Sequence, residues 1–90
     1  MPRYIVERDF PSGLNIPIDA AGADACRAVV DANALDAVTW VHSYVSTDNK
    51  KTYCVYDAPT VEAIRATAQR NNLPIARITQ VRVLDPYFYR

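Results

Sequence analysis

Two segments of alternating residues flank a four-residue turn in VTWVHSYVSTDNKKTYCVYDA, residues 38–58, and no other feature of the chain restricts its fold as strongly. Residues 38–46 and 51–58 read as strands, and TDNK at 47–50 supplies turn chemistry, so the pair is predicted to form an antiparallel hairpin. Alternation gives each strand two faces. In the first strand Val38, Trp40, His42 and Tyr44 fall on one face and Thr39, Val41, Ser43 and Val45 on the other. Small and β-branched residues suit close packing against helices, whereas rings that carry a nitrogen or a hydroxyl suit a cavity or a partner subunit.

The flanking segments supply the rest of the fold. RYIVERD, residues 3–9, reads as a strand with Tyr4 and Val6 on one face and Ile5 and Glu7 on the other, and Pro11, Ser12 and Gly13 end it. From Asp19, a suitable N-cap, the period becomes helical: Gly22, Cys26, Val29, Val30 and Asn33 share the inner side, and Asp24, Arg27 and Asp31 the outer. Pro59 and Thr60 open a second helix with a stripe of Val61, Ile64 and Ala68 and with Glu62 in its first turn; NNLP, residues 71–74, stops it. RITQVRVLD, residues 77–85, reads as the fourth strand, with Thr79, Val81 and Val83 opposed to Ile78, Gln80, Arg82 and Leu84. The order βαββαβ predicts an α+β, ferredoxin-like domain over residues 1–90, a four-stranded antiparallel sheet with both helices on one face.

That arrangement leaves the other face open. A chain of 90 residues buries only roughly 60 to 65% of its unfolded surface, so an uncovered face bearing Trp40 and Tyr44 predicts a homodimer, a dimeric α/β barrel with a cavity between its two sheets. Ten Lys plus Arg balance ten Asp plus Glu, which leaves no net field to attract nucleic acid or an anionic membrane. Arg3, Arg8, Arg27, Arg65, Arg70, Arg77, Arg82, Arg90, Lys50 and Lys51 are spread along the chain and read as solvated surface. No apolar run approaches the ~20 residues of a membrane span, and MPRYIVERDF lacks the apolar core of a signal peptide, so a cytoplasmic protein is expected. Cys26 and Cys54 lack metal-knuckle spacing and are expected as reduced, buried thiols.

Three separated segments, VTWVHSYVS, YCVYDAP and VRVLDPYFY, together with the opening MPRYIVERDF, resemble a family of small bacterial nickel-binding proteins once catalogued as a domain of unknown function and typified by a Streptomyces member. The similarity runs over nearly the whole chain, with a departure at the turn STDNKKT, which is longer than the family's TDDK type. The resemblance implies a ferredoxin-like homodimer that takes up divalent nickel for sequestration or detoxification, and it implies no catalytic residues.

His42, the single histidine, is the first candidate ligand, since imidazole binds nickel, zinc and copper; it also suits acid–base work, or plain packing beside Tyr44. Glu7, if it faces the open side, either orients His42 or ligates a cation, or it pairs with Arg82. Cys54 and Tyr56 share a face of their strand, and the hairpin register decides whether that face is His42's. The candidate metal set is therefore His42, Glu7 and Cys54, in a pocket with Trp40, Tyr44, Tyr56 and Arg82. The aromatic tail, Tyr87, Phe88 and Tyr89, is expected to dock on its own or a partner's surface, while Asp48 and Asn49 shape the turn. There is no GxGxxG, P-loop or HExxH, which disfavours dinucleotide, phosphoryl-transfer and zinc-protease chemistry. By fold analogy, a cofactor-free isomerase, cyclase or oxygenase acting on a small organic molecule in the open-face cavity is the alternative.

Overall fold

The computed structural model describes residues 1–14 and 20–87. β1 (Arg3–Asp9), α1 (Ala20–Ala34), β2 (Thr39–Val45), β3 (Lys51–Asp57), α2 (Val61–Arg70) and β4 (Arg77–Val81) follow the predicted order. The four strands make one sheet, β2-β3-β1-β4, antiparallel at every pairing. This is the ferredoxin-like α+β arrangement.

Tyr4, Val6 and Arg8 of β1 sit opposite Tyr56, Cys54 and Thr52 of β3, and all six are buried, which defines the helix-covered face. Ile64 of α2 is 2% exposed and packs there with Tyr4, Val6, Val38, Cys54, Tyr56 and Ala58, joined by the partly buried Val61, Ile75 and Ile78. α1 covers the same face through Cys26 and Val29. Its inner side is narrower than its periodicity predicted, because Val30 is 47% exposed beyond the edge of the core. Asp19, its expected cap, lies outside the described residues.

α2 begins and ends as its sequence dictates. The Thr60 hydroxyl accepts from the Ala63 amide at 3.1 Å, satisfying one of the orphan donors of the first turn. At the far end Asn72 takes a left-handed φ of 56°, a conformation asparagine tolerates, and the Leu73 amide returns to the Ala68 carbonyl at 2.9 Å. Asp36, in the α1–β2 turn, accepts from Thr67 Oγ1 at 3.0 Å and Arg70 Nε at 2.9 Å, tying that turn to α2.

β4 is shorter than predicted. It ends at Val81, which pairs with Arg3, the first residue of β1; the preceding Pro2 has no amide to donate, so the ladder has no continuation. Arg82 consequently leaves the sheet and is exposed, as are Val83 and Leu84. In the tail, Tyr87 is 85% exposed rather than docked on its own chain, and Phe88 and Tyr89 lie outside the described residues.

Candidate functional site

The register of β2 on β3 contains one irregularity, and it rearranges the predicted faces. Trp40 pairs with Tyr56 but His42 pairs with Val55, so Val41 is an extra residue in β2, a β-bulge. Past the bulge, Ser43 opposes Cys54 and Tyr44 opposes Tyr53. Trp40 and Ser43 therefore share the helix-covered side, where Trp40 Nε1 donates to Ser43 Oγ at 2.8 Å, while His42 and Tyr44 share the uncovered side. The expectation that Trp40, His42 and Tyr44 lie on one face fails because a single inserted residue inverts the alternation.

On the uncovered face His42 is exposed and its ring meets Tyr44 edge-on, with centroids 5.1 Å apart at 83°. Tyr44 is 64% exposed and Tyr53, opposite it, 37%. Beside His42, Val55 is hemmed in by register neighbours on both sides, Ile5 and His42. Glu7 lies on this face as anticipated, but it does not reach His42: it opposes Tyr53, whose other neighbour is Tyr44. Its partner is not Arg82. Lys51 Nζ lies 3.7 Å from Glu7 Oε1 and 4.0 Å from Asp9 Oδ1, and the arginine opposite Glu7 is Arg77. Asp57 is held below the usual carboxylate range by a two-pronged bond from Arg3, at 2.7 and 3.0 Å. Asp48, in the hairpin turn, is likewise held low by the Ser46 hydroxyl at 2.6 Å and the Lys50 amide at 3.0 Å.

Cys54 and Tyr56 lie across the sheet from His42. The Cys54 thiol is buried, 3.7 Å from Thr52 Oγ1, and Tyr56 is 4% exposed, its phenol pushed up to about 12 chiefly by burial and against the opposing pull of the Arg8 charge. The predicted ligand set thus divides, with Glu7 and His42 on one side of the sheet and Cys54 on the other. Among the described residues no three His, Cys, Asp or Glu side chains gather where one ion could be held. For a metal, the described residues of one copy of the chain offer a lone accessible imidazole beside Tyr44 and Val55, while Glu7 and Asp57 are already paired to Lys51 and Arg3. A nickel ion prefers more than one strong donor, so the donors of one copy do not by themselves complete a site.

On the helix side the fold forms a cavity of about 170 Å³ between the sheet and α1, lined by residues that include Arg8, Cys26, Val29, Trp40, Cys54 and Tyr56. Arg8 is the residue that the reading of basic side chains as solvated surface missed. The signal was present in RYIVERD, where alternation puts Arg8 with Tyr4 and Val6.

A family model described as the nickel responsive protein SCO4226-like matches residues 4–81. The crystal structure of SCO4226 from Streptomyces coelicolor A3(2) superposes with a TM-score of 0.71 over 92% of this chain and 99% of that one, at 14% identity. At that identity the likeness speaks for the fold. No curated protein matches the chain. No helix among the described residues is long and apolar enough to cross a membrane.

Proposed function

We propose, from the premise that this chain belongs to the SCO4226-like nickel responsive protein family, that it is a small cytoplasmic protein that binds and sequesters nickel as a homodimer through the uncovered face of its sheet. The observation that carries this reading is the placement of the only histidine: His42 stands exposed on that face, edge-on to Tyr44, rather than packed into the core. An unprotonated imidazole nitrogen is a favoured nickel donor, and a second copy apposed through the same face brings a second imidazole to complete what one copy lacks. The two free thiols, Cys26 and Cys54, fit a reducing compartment.

Isothermal calorimetry with nickel chloride tests this. Wild-type protein should take up nickel at micromolar concentration, with uptake falling as pH is lowered because a ligating nitrogen must be unprotonated. His42→Ala should lose most of the heat, while Cys54→Ser, altered across the sheet, should keep it. Nickel uptake unchanged in His42→Ala overturns the assignment of His42.

A further inference from the structure

The cavity between the sheet and α1 is bordered by side chains that carry polar atoms, yet they direct those atoms at one another. Trp40 Nε1 donates to Ser43 Oγ at 2.8 Å, the Cys54 thiol donates to Thr52 Oγ1 at 3.7 Å, and Arg8 Nη1 donates to the Tyr56 hydroxyl at 3.3 Å. Arg8 Nε has no partner among the described residues, but it too is shut away from the space. Cys26, from α1, adds a thiol, a small and weakly polar group. The described residues therefore turn carbon and sulfur to a space of about 170 Å³, with almost no donor or acceptor facing it.

Such a space suits neither water nor an ion. A buried water needs about two to four polar partners, and a charged or hydroxylated guest would give up its hydration with nothing to replace it. What the walls favour is contact. Atoms that line an unfilled space lack dispersion partners on one side, and an apolar guest supplies them while its own surface leaves water. An engineered apolar cavity of roughly 150 Å³ stays dry and takes up benzene, so the matching guest is one six-membered ring or a chain of about five carbons. We propose that the space between the sheet and α1 is a binding site for a small neutral apolar molecule, an alkyl-substituted or unsubstituted aromatic ring or a short hydrocarbon, held by burial and contact without a hydrogen bond. The site lies on the other side of the sheet from His42 and does not depend on nickel.

Trp40 is the only tryptophan and lines the cavity, so its fluorescence reports entry directly. Toluene should change the Trp40 emission saturably, shift the amide resonances of α1 and β3, and raise the unfolding temperature. Phenol, of nearly the same shape with a hydroxyl in place of the methyl, should bind at least about tenfold more weakly, and benzoate should not bind at millimolar concentration. Val29→Phe and Cys26→Leu each extend a side chain that lines the space, and in either variant, once thermal unfolding shows it folded, toluene binding should fall at least about tenfold. The ranking of the three probes is read on the unaltered chain, so it decides even where a filled variant does not fold. His42→Ala should leave toluene binding unchanged, which separates this site from the proposed nickel face. No saturable response of Trp40 and the amides to millimolar toluene, binding of phenol or benzoate as tight as that of toluene, or undiminished toluene binding in a folded filled variant overturns the proposal.

Discussion

Tyr56 shows how one side chain couples the sheet to pH. Its phenol ordinarily titrates near 10 and in the folded protein near 12, so the folded chain holds the proton more tightly than the unfolded chain does. The stability this contributes is fully present below about pH 10 and is lost as pH rises toward 12, a loss on the order of 2 to 3 kcal/mol from this group. Urea unfolding of wild type and Tyr56→Phe between pH 9 and 11 checks the sign: the wild type should lose stability more steeply over that range. Parallel curves would mean that Tyr56 loses its proton as readily folded as unfolded. At the same scale, Arg8 shows why composition misleads. A charged residue in a strand is placed by its parity before its polarity, and here parity put it with Tyr4 and Val6.

Among the elements, α2 was the most legible. Pro59 and Thr60 mark its start, and Ile64 and Ala68 form the buried stripe, supplemented by Thr67. Thr60→Ala removes the acceptor of the Ala63 amide and should lower stability by about 1 kcal/mol, whereas Thr60→Ser should stay close to wild type; chemical denaturation distinguishes the two. β2 was legible as a strand but not in its faces. As a string, VTWVHSYV alternates without a flaw, and the extra residue at Val41 exists only in the pairing of β2 with β3. The same register decides Cys54 and Tyr56, which is why the sequence left them open. β4 fails for a different reason: RITQVRVLD keeps its alternation through residue 85, but its partner runs out at Arg3, and pairing rather than propensity ends a strand. Of the candidate site, His42, Tyr44 and the orientation of Glu7 were readable from alternation, and the grouping of His42 with Trp40 and Cys54 was not.

For the whole molecule, the proposed homodimer depends on a face that no element among the described residues covers, on which Tyr44 is 64% and Tyr53 37% exposed. Light scattering at micromolar concentration should give twice the 10.1 kDa of one chain, and Tyr44→Asp should return the mass to that of a monomer with the circular dichroism of the fold intact. A wild-type mass of one chain would dispose of the face-to-face assembly. The sheet also has two edges, β2 and β4. β4 is only five residues long and starts at Arg77, which leaves little ladder to extend. β2 has seven residues, but Val41 breaks its outer ladder near the middle. Open edges of this kind are where sheets add to sheets without limit, and a bulge twists the edge away from such pairing. Deleting Val41 would restore strict alternation with every side chain on its present face, so the fold should survive while the edge becomes straight. Concentrated solutions of that variant should form ribbons that bind thioflavin T, where the wild type should form none. The inserted residue would then be what keeps growth along the sheet from competing with closure across it.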